Sequence, residues 1–187
     1  MEAFLVSAGV VALAELGDKT QLLALLLAAR LRAPAAVIAG IATAVLVNHL
    51  AAGTVGTLLA QLLAPLLLRW LLVASFLATA VWMLVPDAQP AGSARFARFG
   101  PYGATVVTFF LVEMGDKTQI ATIALAAHYR ALVAVVAGTT LGMLVADVPA
   151  VLLGHAAAER IPVRLMHRIG AAVFVALALL AAFGVGS

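Results

Sequence analysis

Glu15-Leu16-Gly17-Asp18-Lys19-Thr20-Gln21 returns in the same chain as Glu113-Met114-Gly115-Asp116-Lys117-Thr118-Gln119, an offset of 98 from residue 15 to residue 113. Without any gap, that offset also aligns Ala28-Ala29 with Ala126-Ala127, Gly40 with Gly138, Leu46-Val47 with Leu144-Val145, Gly56 with Gly154 and Phe76 with Phe174. Register held over so much of the sequence marks an internal duplication. Each copy places two carboxylates and a lysine within a long apolar stretch, so the surroundings of the motif decide what it can be.

Those surroundings are membrane-like. The 187 residues are 65% apolar and 10% charged, and the mean hydropathy is +1.17. A soluble protein of this size is excluded, because long runs such as 35–47, 66–85, 131–145 and 170–185 carry almost no charge. Apolar stretches bounded by Arg, Pro and Gly predict six helices near residues 3–29, 35–61, 66–85, 103–127, 131–156 and 169–186. The Pro-Asp-Ala-Gln-Pro-Ala-Gly-Ser composition after Val85 reads as a linker. The expected fold class is therefore an all-α integral membrane protein: a first three-helix repeat over 1–85, a cytoplasmic linker over 86–102 and a second repeat over 103–187.

An odd number of spans per repeat inverts the second copy relative to the first. Arg30, Arg32, Arg95, Arg98, Arg160, Arg164 and Arg168 fall on one side and only Arg69 and Arg130 on the other. The positive-inside rule makes the first side cytoplasmic and puts both termini outside. Met1-Glu2-Ala3-Phe4 lacks the basic region of a signal peptide, so the first segment is expected to stay as a membrane helix. Trp70, Trp82, Tyr102 and Tyr129 read as interfacial anchors, and His128, His155 and His167 also fall near span ends. The arginines form no basic face, which argues against nucleic acid as a partner.

Five of the eight acidic residues, Glu15, Asp18, Glu113, Asp116 and Asp147, lie inside predicted spans, as do the only two lysines, Lys19 and Lys117. Facing lipid, seven such charges would cost on the order of 20 kcal/mol. They must face one another, water or an ion. On continuous helices Glu15 and Asp18 share a face, as do Glu113 and Asp116, and inverted repeats would bring the four carboxylates together at mid-membrane. Gly17 and Gly115 permit close helix approach or local unwinding. Thr20, Gln21, Thr118 and Gln119 add neutral oxygens, while Lys19 and Lys117 balance charge, with Glu15–Lys19 and Glu113–Lys117 pairing at i,i+4.

The chain has no cysteine, which excludes disulfides and thiolate metal sites. An oxygen-rich, thiol-free cluster suits a hard divalent cation such as manganese, calcium or magnesium. At a separation of about 6 Å and an effective dielectric of about 20, two like charges repel by about 3 kcal/mol, so four clustered anions require cations or protons. In the second span of each repeat, Asn48-His49 aligns with Ala146-Asp147, making Asp147, Asn48 and His49 further candidate ligands or proton-coupling residues. Pro149 frees the Val145 carbonyl nearby. Gly138 and Gly142 form a GxxxG packing device.

The paired Glu-Leu-Gly-Asp-Lys-Thr-Gln and Glu-Met-Gly-Asp-Lys-Thr-Gln strings in a six-span duplicated chain resemble the small cation/proton antiporter family of bacterial manganese exporters and the Golgi manganese/calcium transporter, also called uncharacterised protein family sixteen. The resemblance implies export of manganese or calcium from the cytosol of a bacterial inner membrane in exchange for protons. It implies Glu15, Asp18, Glu113 and Asp116 as the cation site, and no cofactor beyond the transported ion. Where bacterial members often read Ala-Asn-Val-Pro-Ala, this chain has Ala146-Asp147-Val148-Pro149-Ala150, one carboxylate more.

Two other classes compete. An intramembrane aspartyl protease also uses two membrane aspartates, but its Gly-x-Gly-Asp pattern is missing because glutamate holds the first motif position; no enzyme activity is expected. An exporter of another solute, such as an amino acid, or a cation channel shares the architecture. Four carboxylates against two lysines disfavour an anion as cargo.

Overall fold

A computed structural model describes residues 1–85, 98–153 and 163–184. Most of the linker, together with Arg95, Gly154, His155 and Arg160, lies outside them. The described residues form eight helices: α1 (Glu2–Glu15), α2 (Lys19–Leu31), α3 (Pro34–Leu62), α4 (Pro65–Met83), α5 (Gly100–Glu113), α6 (Lys117–Tyr129), α7 (Leu132–Leu153) and α8 (Val163–Ala182). The chain is an all-α bundle. Expected spans 3–29 and 103–127 are each divided in two at the motif, a difference with a local cause described below.

Start and stop signals set the other boundaries. Pro34 and Pro65 open α3 and α4, where a missing N–H costs nothing. Arg32 and Arg130 end α2 and α6 in the left-handed region, at φ 52° and 51°, and place a cation at the negative helix end. Only Ala33 separates Arg32 from Pro34, and only Ala131 separates Arg130 from Leu132, so the chain turns sharply into α3 and α7. The last helix begins at Val163, ahead of the expected 169, because an apolar criterion overlooks its first turns with Arg164, His167 and Arg168.

Among the described residues three helices, α3, α4 and α7, are long and apolar enough to cross a membrane. With 14, 13, 14 and 13 residues, α1, α2, α5 and α6 are individually shorter than the roughly 20 residues a span requires.

Packing repeats with the sequence. Helix α1 lies along α7 while its counterpart α5 lies along α3, and α4 packs on α8. Apolar lipid supplies little drive for helices to associate, so small residues carry these seams. A Cβ on Gly138 or Gly142 of α7 would collide with the Phe4 or Ala8 carbonyl of α1; one on Gly40 of α3 would meet Thr105 of α5 at 2.7 Å. The GxxxG thus serves the contact between the first helix and the seventh. Phe76 and Phe174, counterparts in the two halves, touch each other at a centroid distance of 6.3 Å and are fully buried. Such a contact between counterparts is consistent with a repeat fold. Outward-facing Leu46, Leu50, Leu58, Leu66 and Leu71 form an apolar exterior that a bilayer would cover.

Candidate metal centre

Both motifs break their helices in the same way. Helix α1 stops at Glu15, Leu16 is extended (φ −61°, ψ 112°), Gly17 turns left-handed (φ 81°), and Asp18 (φ −78°, ψ 168°) starts α2. In the second copy Met114 is at φ −66°, ψ 115°, Gly115 at φ 82° and Asp116 at φ −80°, ψ 168°. A Cβ at Gly115 would meet nothing within 4 Å. The glycine is there for its dihedral, which side chains adopt at a cost of roughly 1–2 kcal/mol. Gly115→Ala is accordingly expected to lower the thermal midpoint of the purified protein. Gly9→Ala, in the interior of α1 with equal room, should leave it unchanged or raise it. Equal effects at the two positions would contradict a conformational role.

The break corrects the expected geometry. Glu15 and Asp18 do not share the face of one helix: the first closes α1 and the second N-caps α2, with the same split between Glu113 and Asp116. Of the two roles open to the glycines, Gly115 serves the local unwinding. Neither aspartate side chain caps its own helix. Each lysine instead reaches the aspartate of the opposite motif, Lys19 Nζ to Asp116 Oδ1 at 2.6 Å and Lys117 Nζ to Asp18 Oδ1 at 2.9 Å. Pairing at i,i+4 requires an unbroken helix, and the left-handed glycine removes it. The two bridges differ in access: the Lys117 side chain is 1% exposed and that of Lys19 19%.

The neutral residues fasten the loops. Thr20 Oγ1 donates to Glu15 Oε2 at 2.6 Å and Thr118 Oγ1 to Glu113 Oε2 at 3.3 Å, fixing one oxygen of each glutamate. Gln21 Oε1 accepts from the Gly17 N–H at 3.0 Å and Gln119 Oε1 from the Gly115 N–H at 2.7 Å. Their amides reach the other half, Gln21 Nε2 to the Ala146 carbonyl at 3.0 Å and Gln119 Nε2 to Asn48 Oδ1 at 3.4 Å. Asn48 and Ala146 are counterparts under the offset of 98, so one cross-brace is built twice. Asn48 Nδ2 also donates to the Phe110 carbonyl at 3.1 Å. Sequence reasoning passed over the Ala146 and Phe110 carbonyls; Pro149 frees the neighbouring Val145 carbonyl, one residue before the one that Gln21 uses.

Glu15, Glu113 and Asp116, all buried, each offer an oxygen lying within 4.8 Å of the others. Glu15 Oε1, Glu113 Oε1 and Asp116 Oδ2 are buried and accept no hydrogen bond among the described residues. Oxygens of an octahedral ion with bonds of about 2.1 Å lie roughly 3–4.2 Å apart, so a small contraction would let the cluster hold one cation. Asp18 is 3% exposed and sits on Lys117. Asp147 is fully buried, within electrostatic reach of Glu113 and Asp18. His49, 1% exposed, lies outside the three-carboxylate group.

A family model described as divalent cation/proton antiporter GDT1 matches residues 3–91 and 101–185. The chain belongs to this family. A Vibrio cholerae protein named "Putative manganese exporter" is 48% identical over 184 residues, covering 98% of this chain and 92% of that relative. "GDT1-like protein 3" of Oryza sativa subsp. indica and its japonica counterpart are each 44% identical over 66 residues, 35% of this chain and 23% of theirs. No solved structure matches. The two blocks of the GDT1 match each contain one acidic motif, and membership fits a protein that moves ions rather than one that converts substrates.

Proposed function

We propose that this GDT1-family protein exports a divalent cation, manganese in preference and calcium in addition, from the cytosol in exchange for protons. The carrying observation is the buried group of Glu15, Glu113 and Asp116 oxygens within 4.8 Å of one another, assembled from both motifs. Asp18 completes the set of four carboxylates; Lys19 and Lys117 reduce its charge to a nominal −2, which one divalent cation neutralises. When the ion leaves, protons replace it as the compensating charge, so metal and protons compete for the same oxygens. Asp147, Asn48 and His49 serve as further polar stations beside it.

In this reading α1–α2 and α5–α6 each cross the membrane as one discontinuous span, giving six spans in inverted repeats over 1–85 and 103–187, joined by a cytoplasmic linker over 86–102. Both termini lie outside a bacterial inner membrane. The short lengths of these four helices and the conserved geometry of the two breaks support it, as does the exchange-symmetric packing of α1 on α7 and α5 on α3. Exchanging the conformations of two similar halves would open the central site first to one side and then to the other.

The test uses proteoliposomes loaded with a pH-sensitive dye. Manganese added on one side should enter while protons leave, the flux should saturate, and an imposed pH gradient should drive metal uphill. Uptake without opposing proton movement and without response to the gradient would favour a channel and overturn exchange.

A further inference from the structure

Away from the acidic cluster, a cavity of about 270 Å³ lies between the start of α4 and the ends of α6 and α8. Its apolar wall includes Leu66, Leu72 and Ala181, and its polar wall is Arg69, His128 and Arg130. The volume is just below that of ordinary small-molecule pockets and suits a headgroup-sized ligand. By sequence, one side of the membrane carries only two arginines, and the fold brings both to this cavity from different halves.

Among the described residues neither arginine is ion-paired, and the Nε of Arg69 is buried without a hydrogen-bond acceptor. His128 is 7% exposed, and its Nδ1 is likewise buried without a partner. Its ring stands edge-on to Tyr129 at 4.8 Å, and Glu2 is the acidic group near both. Two guanidinium groups against one nearby carboxylate leave a positive cavity that calls for an anion, and planar, multi-donor arginines suit phosphate oxygens.

The surroundings decide which phosphate. Leu66 at the cavity is 67% exposed, and along the same helix Leu67, Trp70 and Leu71 are 51%, 56% and 48% exposed. Such an apolar face is covered by acyl chains, and a tryptophan beside the arginines places the cavity at headgroup depth.

We propose that this cavity binds the phosphate headgroup of an anionic phospholipid, held by Arg69 and Arg130 with His128 as a third hydrogen-bonding group and the acyl chains lying along Leu66 and its exposed neighbours on α4. Because α4 belongs to one half and α6 and α8 to the other, the bound lipid would bridge the halves and stabilise their packing.

The test needs no metal, so it stands apart from the transport reading. The full chain is delipidated in detergent and freed of metal. Thermal midpoint and lipid retention by native mass spectrometry are then measured with phosphatidylglycerol, phosphatidylcholine or inorganic phosphate. Phosphatidylglycerol should raise the midpoint and be retained at one tight site, with the other two giving little. Arg69→Gln/Arg130→Gln should weaken apparent lipid affinity by at least about tenfold, whereas Arg69→Lys/Arg130→Lys should keep part of it. Should the double glutamine variant not survive purification, Arg69→Gln alone, with a smaller loss, decides the same question. Equal retention by wild type and glutamine variants, equal protection by phosphatidylcholine, or protection by inorganic phosphate alone would overturn the proposal.

Discussion

Asp116→Asn is expected to lower metal transport by about 100-fold or more while leaving the helices intact. Asp116 does two things at the site: Oδ1 holds Lys19 at 2.6 Å, and Oδ2 is a buried oxygen without a hydrogen bond in the acidic cluster. Asparagine keeps the shape and removes the charge. Losing even an outer-shell partner of a metal site typically costs 10–100-fold, so a direct ligand should cost at least the upper end. Manganese uptake into proteoliposomes measures the loss, and helicity by circular dichroism checks the fold. Wild-type flux in this variant and in Asp18→Asn would sink the assignment of these carboxylates to the cation.

The second large effect concerns the two lysines, which look interchangeable in the sequence and are not so in the fold. Lys117→Met should destabilise the protein by about 3–5 kcal/mol, because it removes a cation that is 1% exposed from a bridge to an Asp18 side chain that is 0% exposed, where water does not replace it. Lys19→Met should cost clearly less: its bridge to Asp116 has one end 19% exposed, where solvent can replace the lost partner. Thermal unfolding in detergent compares them. Adding Asp18→Asn to Lys117→Met should restore part of the loss, since the buried charge that Lys117 balanced is then removed as well. Equal costs for the two lysines would show that burial of the bridge does not set its worth.

The duplication could be read from the chain because residue order survives as a constant offset, and Phe76 meeting Phe174 is its spatial image. The acidic character of the centre was equally legible, since a carboxylate within an apolar stretch has few places to go. What periodicity could not supply was the break at Gly17 and Gly115. A single glycine in an apolar run is compatible with helix, and whether it turns left-handed depends on what the freed groups find. Here the freed N–H of each glycine finds a glutamine four residues on. Two differences at the site follow from that one conformation: the carboxylates of each motif do not share a helix face, and each lysine pairs with the aspartate of the opposite motif. The cross-braces to Ala146 and Asn48 join residues far apart in sequence and required the fold.

Each lysine of the centre finds its counter-ion in the other half, so neither half is electrically self-sufficient. A chain cut at the linker would carry a lysine and an aspartate whose partners are on the missing piece. Two identical copies of either half, by contrast, would satisfy each other, as the subunits of a homodimer do. Joining them in one polypeptide fixes their proportion at one to one and frees each to change separately. Substitutions that would otherwise strike both sides at once can then be confined to one, and Asn48-His49 in one half against Ala146-Asp147 at the corresponding positions of the other is such a divergence. The ion pairs hold both motifs to the same residues, while positions outside them are free to differ between the halves.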